Sequence, residues 1–379
     1  MISAKNNSYK KIAAGVLAIT IIFSLVLPAI GNDAVKFKRV DQNKVPDELA
    51  MLAAVTRANY EKIKTWQGRI SFEDMIIYRG SYAADLLKQH AGIKSIKEPN
   101  ELADKVEGMF EFKIDMEKNL LFRSMNRPKP TEYIDIDKGS TYMSLEVSLE
   151  RAKIIAGEYE IESCPDRRKK DGTILHRIAR KRPRRQSQII TDDFDPRSCF
   201  NTGKPAWEFL SEFAEGVRRY NKDPNGAVGN MPNSFFSSVV LEKAQTAKGI
   251  TYRVKLTIPG AVEEKFTFDG EKGFNPTYVE VKNDKGIKIS EITRDFIKIQ
   301  DIFLPAKQRV VQYDGTDGRL RRKAESTFSD MQVNKVLPES TFSHKNLSLK
   351  NGDKFVDEIE NKEYTYQDAN LVPVKNKDK

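Results

Sequence analysis

The sequence predicts an α+β protein: a large antiparallel sheet or open barrel with two amphipathic helices, behind an N-terminal signal helix. Three observations carry this. From Ser234 onward, turn signals recur about every 10–15 residues between apolar runs, the spacing of a β meander. Met143, Leu145, Val147 and Leu149 alternate with Ser144, Glu146 and Ser148, as a half-buried antiparallel strand does. Apolar side chains at three- and four-residue steps mark helices near residues 46–63 and 205–217. With 39% apolar and 31% charged residues in 379, the chain is neither collagen-like nor low-complexity, and global disorder is disfavoured.

The N-terminus reads as an export signal. Lys5, Lys10 and Lys11 precede an uncharged run from Ile12 to Leu27, and Pro28-Ala29-Ile30-Gly31 supplies a breaker and small residues at the cleavage positions. A transmembrane helix needs about 20 apolar residues, so residues 1–31 fit a cleaved signal peptide or a retained anchor. Both place the rest outside the cytoplasm, in the periplasm or otherwise in the cell envelope. No second long apolar run follows.

Residues 32–45 read as a linker. Pro46-Asp47-Glu48 opens the first helix, with proline and acids where the orphan N–H groups favour them. Leu49, Leu52, Ala53, Thr56, Tyr60 and Ile63 form its apolar face, and the period changes to strand after Trp66. Residues 81–107 read as a helical mixture. Phe110, Phe112 and Ile114 then alternate with charged residues, and Leu121 to Met125 returns after a turn at Glu117-Lys118-Asn119. Asp137-Lys138-Gly139 marks another tight turn. Pro205 opens the second long helix, with Trp207, Leu210, Phe213 and Val217 on one face. The meander follows to Val333. The main domain is expected to span 46–345, with an insertion near 151–200. Residues 346–379 read as a charged tail, disordered beyond about 371.

The positive charge is local. The chain carries 64 Lys+Arg against 54 Asp+Glu, a net of +10. Removing residues 1–31 lowers this to +7, while Arg167 to Arg185 alone holds ten basic residues and one acid. Arg167, Arg168, Lys169, Lys170, Arg180, Lys181, Arg182, Arg184 and Arg185 are therefore a candidate polyanion patch, facing an anionic membrane surface or an envelope polymer. A solvated insertion explains the same charges. Nucleic acid is not expected, because no aromatic interleaving offers a base-stacking platform. Cys164 and Cys199 flank this segment. In an oxidising compartment they are expected to bridge, closing a loop worth roughly 3–4 kcal/mol in the chain-entropy model; two separate buried thiols are the alternative.

No catalytic motif is present: no Gly-x-Ser-x-Gly, His-Glu-x-x-His, Gly-x-x-x-x-Gly-Lys or Gly-x-Gly-x-x-Gly. Asp135 to Glu146 resembles a calcium loop only in outline, since Ser140 replaces the sixth-place glycine, and a hairpin turn accounts for it. Three histidines and two cysteines leave little for metal sites. The expectation is a non-catalytic protein without cofactor or metal.

The order of elements carries a resemblance. A helix ends in Tyr60-Glu61-Lys62-Ile63-Lys64-Thr65-Trp66. Gly108-Met109-Phe110-Glu111-Phe112-Lys113 and Asn119-Leu120-Leu121-Phe122-Arg123 follow, then Tyr133 to Tyr142, and near the end Asn334 to Phe342 and Gly352-Asp353-Lys354. This resembles the periplasmic lipoprotein-carrier superfamily, the outer-membrane lipoprotein-sorting and related lipid carriers, including large secreted bacterial relatives. The resemblance implies a curved, unclosed half-barrel with helices on its concave side, holding lipid or lipoprotein acyl chains. If such a barrel is too wide for side chains to fill, strand alternation makes Trp66, Phe72, Phe110, Phe112, Ile114, Leu121, Met125, Met143, Leu145 and Val147 the candidate apolar wall. The resemblance also implies a basic latch between lid helix and barrel, at Lys118 where the family has arginine, followed by Asn119 in place of proline. A dry core with no cavity, in a structural or interaction protein of the envelope, is the alternative these residues leave open.

Overall fold

The computed structural model describes residues 36–93, 100–127, 129–144, 149–163, 167–168, 174–175, 178–184, 198–199, 204–228, 231–247, 249–258 and 260–374. The signal segment, Cys164, Lys169, Lys170, Arg185, Leu145 and Val147 lie outside the described residues, as do the side chains of Arg167, Arg168 and Cys199. The expected signal helix and disulfide therefore lie outside them too.

Helix α1 (Val45–Tyr60) begins where Pro46, Asp47 and Glu48 fill its first turn, and it buries Leu49, Leu52, Ala53, Thr56 and Tyr60. Strand β1 (Thr65–Arg79) follows, then α2 (Ser81–His90) and β2 (Glu101–Asp115). The helical reading of 81–107 holds only to His90. Leu102 and Ala103 are both buried, so the start of β2 faces the interior on two sides and loses the period-2 signal.

Strands β3 (Leu120–Arg127), β4 (Glu132–Asp135), β5 (Ser140–Met143), β6 (Leu149–Ala156), β7 (Tyr159–Ser163) and β8 (Ile178–Pro183) come next. The expected insertion thus supplies three strands to the sheet. Helix α3 (Ala206–Lys222) leads to the meander β9 (Val240–Thr246), β10 (Gly249–Ile258), β11 (Val262–Asp269), β12 (Asn275–Asn283), β13 (Lys288–Ile299), β14 (Ile302–Tyr313) and β15 (Leu320–Val333). The segment read as a tail adds β16 (Lys354–Asp357), β17 (Lys362–Gln367) and β18 (Asn370–Pro373).

Among the described residues these form one 19-stranded sheet that includes the short strand Lys38–Arg39. Neighbours run Lys38–Arg39, β9 to β15 in sequence, β1, β2, β3, β6, β7, β8, β16, β17, β18. The hairpin β4–β5 pairs with the first half of β2, and β3 with its second half. Within this sheet pairing is antiparallel except between β8 and β16. Its terminal strands do not pair with each other, so the sheet is unclosed. Bulges at Gln67/Arg69, Thr267/Phe268, Val281/Lys282, Asp295/Phe296 and Gln312/Tyr313 bend it.

Helices α1 and α3 pack on the concave face, against Leu241, Val254, Phe266, Val279 and Ile292, which stand opposite one another across β9 to β13. Phe209 contacts Phe213 and Phe266 at ring distances of 4.2 and 4.7 Å. Half-buried Trp207 joins this cluster to a second one built on Tyr60, Ile63, Trp66, Ile70, Phe112 and Ile114. The convex face carries ionic ladders such as Lys255–Glu242 at 2.9 Å and Lys105–Glu73 at 3.3 Å. The architecture is an α+β half-barrel with helices on its concave side.

Candidate functional site

The alternation of β1 and β2 decides which side chains reach the concave face. Trp66 stands opposite Ile114, Ile70 opposite Phe110, and Phe72 opposite Gly108. Leu121 and Met125 on β3 stand opposite Ile114 and Phe110. These side chains share one face. Trp66, Phe112, Ile114 and Leu121 are fully enclosed by α1, α3 and neighbouring strands, with Trp66 and Phe112 edge to face at 4.4 Å. Phe72, Phe110 and Met125 are only half-buried, and the Phe72 and Phe110 rings stack at 4.8 Å. They lie between the core under α1 and α3 and the small cluster under α2, built on Ala83, Leu86, Leu87, Leu102 and Tyr133. This strip is the candidate ligand-binding surface.

Met143 does not join it. Met143 pairs with Glu132, which pairs with Lys105, so it stands on the convex side and is 46% exposed. Its strand hangs from β2 through β4, which reverses the alternation assumed from sequence. Lys118 sits in the β2–β3 turn with its ammonium 3.4 Å from Glu339. That contact ties the turn to the C-terminal segment, and neither α1, α2 nor α3 supplies its partner.

Polar groups on the concave strip are absent from the sequence reading. Asp74 follows Phe72 on the same face and accepts two hydrogen bonds from Arg322, at 2.9 and 2.8 Å. Asp104 and Arg127 face the same side. A side chain at Gly108 would stand 2.6 Å from the Phe72 ring and 3.0 Å from Cγ of Arg127, so this glycine lets both cross the strand. Burial pushes the Asp104 carboxyl pKa upward, Arg127 opposes it, and Asp74 adds to it. Burial also raises the Tyr78 hydroxyl beside them. Farther along, Glu264 stands between Leu256 and Val281 on this face, and burial raises its carboxyl pKa. The available signal was a charged residue in the apolar register of Phe72 and Phe110.

The described half of the basic segment is matched by acids. Arg180 lies 3.1 Å from Glu358, Lys181 2.7 Å from Asp357, and Arg182 3.2 Å from Glu162 and closer still to Glu160. Arg184 donates to the carbonyl of Gly157 at 3.4 Å.

The segment from Asp135 to Gly139 forms the β4–β5 turn. The Asp135 carboxylate accepts from the Lys138 backbone N–H at 3.2 Å and its ammonium at 2.9 Å. Among the described residues no group of three His, Cys, Asp or Glu could hold a metal, and no helix is long and apolar enough to cross a membrane. A cleft of about 610 Å³ is lined by Ser71, Glu73, Glu107, Met109 and Glu325 of the convex side together with Phe72 and Gly108.

No family model and no curated protein matches this chain. Solved structures do resemble it. A provisionally assigned outer membrane lipoprotein-sorting protein domain from Vibrio parahaemolyticus is 12% identical, covering 80% of this chain and 99% of its own, with a TM-score of 0.34. A DUF1329 family protein from Desulfovibrio piger is 10% identical over 80% and 98%, TM-score 0.29. A LolA superfamily protein from Nitrosomonas europaea is 11% identical over 78% and 99%, TM-score 0.30. The sorting domain and the LolA superfamily protein fall in the superfamily that the sequence resembles. Likenesses this distant carry no function, and the fold rests on the strand pairing above.

Proposed function

We propose that this chain is an exported, non-catalytic carrier or binder of lipid or lipoprotein acyl chains in the cell envelope. One observation carries the reading: the stacked Phe72 and Phe110, with Met125, remain half-buried on the concave face while their neighbours on the same strands are enclosed. Covering such a strip with an acyl chain removes apolar area from water, worth roughly 25 cal/mol per Å². Helices bound the strip on two sides, as an elongated apolar guest requires. The basic segment is the second element of the proposal. Arg180, Lys181 and Arg182 are ion-paired; the other cations of the segment, Arg167, Arg168, Lys169, Lys170, Arg184 and Arg185, are the proposed contacts for an anionic headgroup or wall polymer.

The test uses displacement of a fluorescent fatty-acyl probe, with native mass spectrometry for co-purifying lipid. Phe110→Glu is expected to weaken the probe at least tenfold, and Met143→Glu, on the other face, to leave it unchanged. Equal effects, or no binding by the wild-type protein in any detergent, would leave an envelope interaction protein without a ligand.

A further inference from the structure

Two buried polar atoms on the face that carries the aromatic strip have no hydrogen-bond partner among the described residues: Oδ1 of Asp104 and Nε of Arg127. Arg127 is anchored by its Nη2, which donates to the Thr131 hydroxyl at 2.6 Å, so its guanidinium is held while Nε stays open. Asp104 lies on β2 opposite Ile76 and Tyr133, four residues before Gly108, over which Arg127 passes. Leaving a buried acceptor or donor unmade is unfavourable, so an unsatisfied polar pair on the face that carries the apolar strip calls for a guest that satisfies both.

We infer that Asp104 and Arg127 form a head-group subsite that receives the uncharged, hydrogen-bonding end of an amphiphile whose chain lies on Phe72 and Phe110. The inference rests on the acyl-binding reading and adds the class of head group. Charge balance at this pair selects that class; Arg123, whose guanidinium lies 5.1 Å from the Phe110 ring centroid, stands opposite Phe112, farther along the strip from Asp104. Asp74 and Arg322 neutralise each other through two hydrogen bonds. The Arg127 charge acts on the Asp104 carboxyl, so this pair is balanced as well. An anionic head would meet Asp104 and Asp74, and a cationic one Arg127 and Arg322. An amide or hydroxyl head offers one donor to the Asp104 carboxylate and one acceptor to Arg127, with no net charge to desolvate. Tyr78, and His90 at the end of α2, are the further titratable groups coupled to Asp104.

Three probes that share one chain separate the possibilities: monooleoylglycerol, oleate and oleylamine, each competing with the fluorescent acyl probe on the purified protein. The wild-type protein is expected to prefer monooleoylglycerol. Asp104→Asn uncovers the Arg127 charge and should shift preference toward oleate by roughly tenfold, the scale of a partly screened charge contact. Arg127→Gln should shift it toward oleylamine. Asp104→Asn is isosteric, whereas Arg127→Gln shortens the side chain and removes the Thr131 hydrogen bond, so an unchanged near-ultraviolet spectrum from Trp66 and Trp207 checks the fold of both variants. Binding of all three probes with preferences unmoved by either variant would overturn the subsite and leave the acyl reading standing. Binding of none by the wild-type protein would overturn both.

Discussion

Glu280 is held by four donors on the convex face. Its carboxylate lies 2.5 Å from Lys265, 3.5 Å from Lys282 and from Lys288, and accepts from the Tyr278 hydroxyl at 3.0 Å. Burial alone would raise its pKa, but the Lys265 and Tyr278 hydrogen bonds overcome this and hold it at about 2, against 4.5 ordinarily. A carboxyl depressed on folding stabilises above its unfolded pKa, and that stability is lost as pH falls toward the folded value. The lysines are partly exposed, so the contribution is discounted to about 2–3 kcal/mol. Glu280→Gln should destabilise by that amount at pH 7 and converge on the wild type near pH 2. Denaturant melts at pH 7, 4 and 2.5 check this, and a pH-independent difference contradicts it. Tyr278 and Lys288 shift upward in the same network. Such convex charges were unreadable as a network from sequence, because their partners come from three different strands.

At the scale of elements, α3 sets two opposing terms against each other. Gly216 lies inside this helix, where glycine costs about 1 kcal/mol relative to alanine. A Cβ there would stand 2.3 Å from the ring of Phe236, which packs on the helix from a short 3₁₀ segment, Asn233–Ser238. Overpacking of this kind typically costs about 1–3 kcal/mol. Gly216→Ala should therefore lower stability despite its better helix propensity, by about 1 kcal/mol net, and a rise in melting temperature would show that Phe236 can step aside. Both long helices were legible, since apolar spacing and first-turn proline or acids are local signals. The turns at Asp137–Gly139, Asn283–Gly286 and Asp314–Gly318 were legible for the same reason. Residues 101–107 were not, because the adjacent buried pair Leu102 and Ala103 breaks the alternation at the start of the strand. Met143 was misplaced because sequence alternation cannot reveal that β2 splits between two partners. Phe72 and Phe110 were found by alternation, whereas Asp104, inside a segment read as helical, and Arg127 went unread, because only the strand register places them on the same face as those rings.

Across the whole molecule, the two ends of the sheet are stabilised by different means. The β9–β13 end is filled by α1 and α3. The β6–β8 end depends on the C-terminal segment, whose Phe342, Leu347, Leu349, Phe355 and Tyr366 pack against Phe122, Ile154, Ile161 and Ala179. The parallel pairing of β8 with β16 joins residues 178–181 to 354–357, and Lys181–Asp357 at 2.7 Å crosses it. No local pattern announces a contact between segments so far apart, which is why residues 346–374 read as a tail. Deleting them removes the buried side chains of Leu347, Leu349, Phe355 and Tyr366 and exposes the backbone edge of β8. Loss of such burial is worth several kcal/mol locally. Hydrogen exchange on a chain truncated after Lys345 should show β6, β7 and β8 losing protection by at least a hundredfold while β10 to β14 retain theirs. Uniform loss across both ends would mean that the sheet folds as one cooperative unit. Protection retained at β8 would mean that the C-terminal strands are an appendage. The separation of the two ends also bears on binding: β1 and β2, which carry the Phe72–Phe110 strip, are the strands that join them.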